Sequence, residues 1–508
     1  MILLSPAARH LESLVARGDL SAGGIAEIEA ASWALIRSGE AEAAIESLER
    51  LCASAGGVAT LWWLLGVALH DAQRHEEALS AMARAVEAAP ADLRGAVGMA
   101  QLRYETGRPA AADFQLLLAR SPGNDEVARN LAGALVAEGF VDAAETVLVD
   151  RLAAQPGWAD GHMRLATLRQ TRGQADFDRG YRDATQSRPQ DFALRMAWFQ
   201  LLAKAQRWSE ARSVLAAAGR HFGERPAIIA SRLYLTSEAG DADDHADLFA
   251  GSSLGDPGLG ICRVRHALKW GRPDEALWVA AAFDGTASEP YFWPYRSLAW
   301  RLLADPRAEW LDRPDRLIAS FALGLDAREL AELGELLRGL HGMAAPYLDQ
   351  SVRGGTQTDR PLLFRHDPII RRTRAAIAEM VRGYVDALPV SESGHPLLAQ
   401  PRVELRFAGS WSVRLRGQGF HTSHTHPAGW LSSALYVALP QDPGPSPAGW
   451  LQFGAPPPQL GLDLAPYREI EPIAGTLVLF PSTMWHGTMP FADGERLTIA
   501  FDVARPRR

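Results

Sequence analysis

The chain has 508 residues, enough for roughly two to four domains at ~150 residues each. It is 47% hydrophobic and 22% charged, which excludes a mostly disordered or fibrous chain. A net charge of −8, from 52 basic and 60 acidic residues, argues against non-specific nucleic-acid binding, and no run approaches the ~20 apolar residues of a membrane helix. The N-terminal stretch MILLSPAARHLESLVARGDL lacks a basic start and a long apolar core, so a first helix is expected there and not a signal peptide. Cys52 and Cys262 are too few and too far apart for a disulfide framework or a four-thiolate metal site, so a reducing, cytoplasmic location is expected.

An internal repeat runs through the first 290 residues. Its clearest unit is ATLWWLLGVALHDAQRHEEALSAMARAVEAAP, residues 59–90. Trp62, Leu65, Gly66 and Leu69 mark one helix; Ala78, Met82 and Ala85 mark a second, which Pro90 ends. Small residues such as Gly66 and Ala78 let two helices approach closely, while Trp62, Leu65 and Met82 fill the gaps. Prolines that can end helices recur at Pro90, Pro122, Pro156, Pro189, Pro226, Pro257 and Pro290, at intervals of 32, 34, 33, 37, 31 and 33 residues. This pattern resembles the tetratricopeptide repeat, whose unit is about 34 residues. Such units bury their faces only against neighbours, so they stack into a solenoid with a concave surface suited to a protein or peptide partner.

Residues 300–345 still read as helix. Asp326 and Glu329 fit a capping box before ARELAELGELLRGL. Near residue 346 the character changes, and YLDQSVRGGTQT reads as a glycine loop. Asp367-Pro368 then opens a helix with an apolar stripe through Ile370, Ile377, Met380, Val381, Tyr384 and Leu388. From about residue 400 the hydrophobic period shifts from 3.6 to 2. VELRFA, WSVRLR, LSSALYVAL, GWLQF, GTLVLF and RLTIAFDV are short strands separated by prolines and glycines, the pattern of a β-sandwich or jelly roll.

Three of the 14 histidines fall within six residues, in GFHTSHTHPAGW. His424 and His426 are two apart, and on a strand such residues share a face, so two imidazoles can hold one metal ion. His486 is the candidate third ligand, presented at the end of the buried strand 476–480. Arg496 follows ten residues later, and a guanidinium suits bidentate capture of a carboxylate. Thr498 shares its face. Arg414 shares a strand face with Ser412 and Arg416 and is a candidate contact to substrate or co-substrate. His421, three residues before His424, is expected on the opposite face, in a loop or toward substrate. Arg353 and Gln357 in the glycine loop are either lid contacts or a structural turn. Trp430, Trp450 and Trp485 are candidate cavity walls. Tyr436 is a substrate-side candidate, though a central strand more often buries such a residue in its core. Asp502 is expected to satisfy backbone or an arginine.

The succession HTHP, WLSSALYV, GWLQFG, GTLVLFPSTMWHGTMPF and ERLTIAFDV resembles the 2-oxoglutarate/Fe(II) oxygenases often joined to tetratricopeptide repeats, over residues 346–507 including QSVRGGTQT. The tail from His486 through Arg496 is also similar to the aspartyl/asparaginyl β-hydroxylases. One departure stands out. The family usually has Asp or Glu two residues after the first histidine, completing a two-His-one-carboxylate face, and here stands His426. Three outcomes are open: His426 binds the metal directly, it stands behind a water, or the metal is zinc.

The resemblance implies an α+β multidomain chain. A tetratricopeptide solenoid over 1–300 and a helical connector over 301–345 would precede a double-stranded β-helix (jelly-roll) domain with flanking helices over 346–508. It implies Fe(II), 2-oxoglutarate and O2 as cofactor and co-substrates. His424, His426 and His486 would be the metal ligands, and Arg496, Thr498 and Arg414 the co-substrate contacts. The implied reaction is hydroxylation of a protein or peptide recruited by the repeats, with neither nucleic acid nor membrane as partner. The alternatives are the same chemistry on a small metabolite and a catalytically inactive scaffold.

Overall fold

The structure is a computed structural model that describes residues 5–239, 243–251, 255–403 and 405–506. It begins with the helix Pro6–Arg17, capped by the Ser5 hydroxyl, which accepts from the Ala8 N–H at 3.1 Å, and stopped by left-handed Gly18. The first four residues of the expected first helix lie outside the described residues. No described helix is long and apolar enough to cross a membrane.

Helices then follow in consecutive pairs, from Ala22–Ser38 with Ala41–Ser54 to Pro257–Lys269 with Pro273–Ala281. The expected unit at 59–90 is the pair Ala59–Asp71 and His75–Ala88. A left-handed residue turns the chain between the two helices of a pair, at Gly39, Gln73, Gly107, Gly139, Gly173, Gln206 and Gly271. Gly66 serves close approach: a Cβ there would meet Met82 Cε at 2.8 Å, and Gly98 holds the same side chain from the next unit. The prolines are not all stops. Pro90, Pro122, Pro156 and Pro189 follow helix ends, but Pro226 and Pro257 open helices, and Pro290 lies within the short turn Glu289–Tyr291. A missing N–H costs nothing in a first turn, so the same residue suits either role.

Contacts divide the chain into two compact units. One holds the residues up to Ala154 together with Pro361–Arg371; the other holds Gln155–Arg360 and Arg372–Pro506. The second unit therefore contains the later helix pairs and all the strands.

Nine strands make two antiparallel sheets among the described residues. They are β1 (Ala319–Ala322), β2 (Val352–Gln357), β3 (Phe407–His421), β4 (Gly429–Ala438), β5 (Leu451–Phe453), β6 (Arg468–Ile470), β7 (Thr476–Pro481), β8 (His486–Thr488) and β9 (Glu495–Ala504). The larger sheet has the order β1-β7-β4-β9-β3-β2 and the smaller β6-β5-β8. The chain is thus α+β: a helical repeat array followed by an antiparallel sheet domain with flanking helices.

Three expectations need correction. Within 301–345, expected to be helical, Ala319–Ala322 is a strand paired to β7. The glycine loop is largely strand β2, paired to β3 with a shift between Arg353 and Gly355. Its glycines permit that pairing, since a Cβ on Gly355 would lie 2.3 Å from the Arg414 carbonyl oxygen. In VELRFA the strand starts only at Phe407, and Glu404 lies outside the described residues. The capping box stands as read, with the Glu329 N–H donating to Asp326 at 2.8 Å. The flanking helix Pro368–Ala387 buries Ile370, Ile377, Val381 and Tyr384, and the Tyr384 hydroxyl donates to the Leu317 carbonyl at 2.8 Å.

Candidate metal centre

β9 lies in the middle of the larger sheet, hydrogen-bonded to β3 and β4. Strand alternation puts Leu497, Ile499, Phe501 and Val503 on one face, each at most 1% exposed. Arg496, Thr498, Ala500 and Asp502 take the other face, and all four line a cavity of about 810 Å³. Trp411 and Val413 of β3 face it as well.

His424, His426 and His486 meet at this cavity. His424 and His486 are joined by a backbone bridge, each N–H donating to the other's carbonyl at 2.9 and 3.0 Å. The His426 N–H donates to the Ser482 carbonyl at 2.9 Å. Ring centroids are 4.3 Å apart for His424–His486, 5.0 Å for His424–His426 and 5.3 Å for His426–His486. One ligand nitrogen from each lies within 4.8 Å of the others.

The second nitrogen of each ring is already committed. His424 Nδ1–H donates to the Thr422 carbonyl at 2.8 Å and His486 Nδ1–H to the Met484 carbonyl at 3.0 Å. His426 Nδ1 sits 2.9 Å from the Asp502 carboxylate. Asp502 is itself held by the Ser432 hydroxyl at 2.6 Å, which also bonds Ser482 Oγ at 2.9 Å. An acceptor at every Nδ1 fixes the tautomer and leaves Nε2 with its lone pair, the arrangement metal-binding histidines need. Burial, followed by the neighbouring His426, pushes His424 down to about 3, and burial followed by His424 and His426 pushes His486 well below the usual imidazole range. Both are neutral near pH 7, the form that binds metal. The donor set therefore fits a divalent transition metal.

His421 departs from expectation. Strand parity predicts the face opposite His424, yet the residue lines the same cavity, with its ring stacked 5.8 Å from His424. β3 ends at His421, so alternation no longer governs the residues after it. The Ser351 hydroxyl lies 2.9 Å from His421 Nδ1 and 3.3 Å from His424 Nε2.

Arg496 is 3% exposed. Its Nη1 donates to the Gly449 carbonyl at 2.7 Å, and its guanidinium lies 5.1 Å from the Tyr436 ring centroid. Its Nε has no partner, and among the described residues no carboxylate pairs with it. A buried, unpaired cation on a cavity wall is costly and is relieved by an arriving anion.

Arg414 is not at the site. Neighbouring Val413 faces the cavity, so Arg414 points to the opposite face of β3, where its Nε donates to Glu495 at 2.6 Å. Trp430 is not a cavity wall either; it is buried and its Nε1–H donates to the Leu397 carbonyl at 3.1 Å. Trp450 is likewise absent from the lining, whereas Trp485 belongs to it, fixed by donation to the Pro294 carbonyl at 2.9 Å. Tyr436 is fully buried beneath Arg496, behind the cavity surface. Arg353 and Gln357 both line the cavity, and Arg353 Nη1 donates to the Gln350 and Val352 carbonyls at 2.8 and 2.9 Å.

Asp502, Ser351 and Trp411 were not anticipated as site residues. Trp411 stacks on His426 at 5.6 Å and 13°. Asp502 was expected to serve backbone or an arginine; it holds His426. Its even offset from Arg496 and Thr498 along one strand was the available signal.

Residues 409–502 match the family described as "Putative 2OG-Fe(II) oxygenase". A search of curated proteins returned no match. Among solved structures, the chain is similar to a tetratricopeptide repeat protein from Parabacteroides merdae (15% identity, 59% of this chain and 99% of that one, TM-score 0.31). It is also similar to a Pseudomonas putida prolyl-4-hydroxylase (20% identity, 38% and 94%, TM-score 0.28). A third is YrrB, titled a TPR protein with an unusual peptide-binding site (15% identity, 36% and 93%, TM-score 0.29). The chain thus carries, after its array of paired helices, a C-terminal domain that matches the 2-oxoglutarate/Fe(II) oxygenase family over residues 409–502.

Proposed function

We propose that this chain is a 2-oxoglutarate- and Fe(II)-dependent dioxygenase that hydroxylates a protein or peptide held by its later helical repeats. The observation that carries the reading is the cavity itself. Its lining runs from His424, His426 and His486 to Lys204, Trp208, Tyr234 and Arg265, which lie on helices of the repeat array in the same compact unit. A site meant for a small metabolite has no need of a wall built from several repeat helices.

His424, His426 and His486 would hold the iron through Nε2, with Asp502 keeping His426 in the ligating tautomer. Ferrous iron with a 2-oxo acid and O2 supplies the oxidant for hydroxylating a C–H bond. Arg496 pairs with the far carboxylate of 2-oxoglutarate, and the Thr498 hydroxyl adds a donor on the same strand face. Trp411 and Trp485 keep water away from the imidazoles. Trp208 and Tyr234 offer aromatic faces to an extended peptide, beside Lys204, whose ammonium pairs with Asp349 at 2.9 Å.

The test is succinate formation from 2-oxoglutarate by the iron-loaded full chain with a peptide pool. Turnover that needs iron is the expected result, with a KM for 2-oxoglutarate raised in Arg496→Ala by the equivalent of about 1.5–3 kcal/mol, the worth of a charged hydrogen bond. Trp208→Ala is expected to raise the KM for the peptide. Absence of iron-dependent 2-oxoglutarate binding would overturn the reading, and unchanged peptide kinetics in Trp208→Ala would favour a metabolite substrate.

A further inference from the structure

A second cluster of metal-ligating side chains lies in the first compact unit, among repeats that the oxygenase reading leaves unused. The helix Ala59–Asp71 carries His70 in its last turn. The chain turns through left-handed Gln73, and His75 begins the helix His75–Ala88. Glu105 ends the helix Leu93–Glu105 of the next repeat, 35 residues after His70. One ligand atom from each of the three lies within 4.8 Å of the others.

The surroundings are those of a prepared site. His70 Nε2 is 2.6 Å from Glu105 Oε2, and Gln101 donates to the other carboxylate oxygen, also at 2.6 Å, fixing its orientation. His75 is 6% exposed, with the Phe364 ring packed on it at 4.4 Å. The His70 side chain is 39% exposed and that of Glu105 19%, so solvent reaches the cluster from one side.

We propose that His70, His75 and Glu105 form a divalent-cation site of the zinc class that clips one helical repeat to the next. Two imidazole nitrogens and one carboxylate oxygen are a borderline donor set that suits zinc and its analogue cobalt better than magnesium or calcium. Three protein ligands leave a fourth position for water, on the side that faces solvent. Bonds of about 2.0–2.1 Å around a tetrahedral ion set ligand atoms roughly 3.4 Å apart, so His70 Nε2 and Glu105 Oε2, now 2.6 Å apart, must separate to admit the ion, and His70, at a helix end and part-exposed, has the freedom to rotate. A plain ion pair would need His70 and Glu105 alone; the buried His75 is what completes a chelating set. The role is structural: the ion would tie the Ala59–Asp71 and His75–Ala88 turn to the helix Leu93–Glu105.

The test is a Co(II) titration of the metal-stripped full chain, followed by visible absorption and by the melting midpoint. The wild type is expected to take two equivalents, one at the sheet-domain imidazoles and one at the repeats. His486→Ala should retain the repeat equivalent. Glu105→Gln keeps the shape and a hydrogen bond to His70 but removes the anionic ligand. It should weaken the repeat equivalent by more than the ~10–100-fold typical of losing an outer-shell partner, and reduce the midpoint gain on adding metal. His70→Asn gives the same reading should Glu105→Gln fail to fold. The proposal is overturned if His486→Ala abolishes all binding, or if Glu105→Gln and His70→Asn bind two equivalents as tightly as the wild type.

Discussion

The two faces of the central strands β3 and β9 carry the same residue types to opposite ends. On the cavity face, His424, His426 and His486 keep Nε2 free of carboxylates, and Arg496 keeps Nε without a partner. On the other face, His341 uses both nitrogens, on Thr356 at 2.8 Å and Ser412 at 3.0 Å. There Arg414 shares Glu495 with Arg338, at 2.6 and 2.7 Å. One face satisfies its polar groups internally; the other holds them ready for something that arrives. Polar chemistry marks a site when it is left open, not when it is merely present.

The sharpest way to break this contrast is on the open face. His486→Ala removes a proposed ligand and should abolish iron-dependent turnover and the sheet-domain metal equivalent, measured by metal analysis and succinate release. Asp502→Ala leaves all three imidazoles but frees His426 Nδ1. Metal affinity should fall ~10–100-fold, the usual effect of losing an oriented carboxylate behind a ligand. An Asp502→Ala variant with unchanged affinity would mean that His426 is not a ligand, and would return the question to the water-filled alternative.

The closed face can be tested through pH as well. Burial, aided by nearby Arg414, holds His341 down at about 4, below its ordinary 6.5. In the unfolded chain it takes up a proton near 6.5; in the folded chain it does not until about 4. Stability from this group is therefore complete above pH 6.5 and declines as pH falls toward 4, by on the order of 3 kcal/mol over that range and about 2 kcal/mol by pH 5. His341→Asn cannot titrate, so its melting midpoint should drop less than that of the wild type between pH 7 and pH 5. Equal drops would remove His341 from the account.

Much of this was legible in the sequence because local rules governed it. The pair at 59–90, the capping box at Asp326 and the strands around His486 and Arg496 follow from periodicity and caps within a few residues. The failures are places where a long-range partner decides. Gly354 and Gly355 look like a loop until β3 is laid beside them, and Ala319–Ala322 is a strand only because β7 offers an edge. His421 follows strand parity up to the point where β3 stops, and no local signal marks that point. The parity of β3 was misassigned because Ser412, Arg414 and Arg416 make one polar face and Trp411, Val413 and Leu415 one apolar face. Substrate or co-substrate is the partner expected for the first; instead His341 and Glu495 cover it, and the apolar residues turn toward the cavity and its surroundings.

That reversal gives the smallest expected effect and the cleanest separation of the two faces. Arg414 and Glu495 are each 23% exposed at the side chain, and Arg338 is 43% exposed. Such a network contributes modestly, typically ~0–1 kcal/mol for each exposed pair. Arg414→Ala should therefore lower the melting midpoint slightly and leave the KM for 2-oxoglutarate at the wild-type value, since no atom of Arg414 reaches the cavity. Arg496 lies on β9 one residue from Glu495, the partner of Arg414, and β9 alternation sends the two arginines to opposite sides of the sheet. A raised KM in Arg414→Ala would mean that Glu495 transmits strain through that single residue step to Arg496, and that the two faces are mechanically coupled.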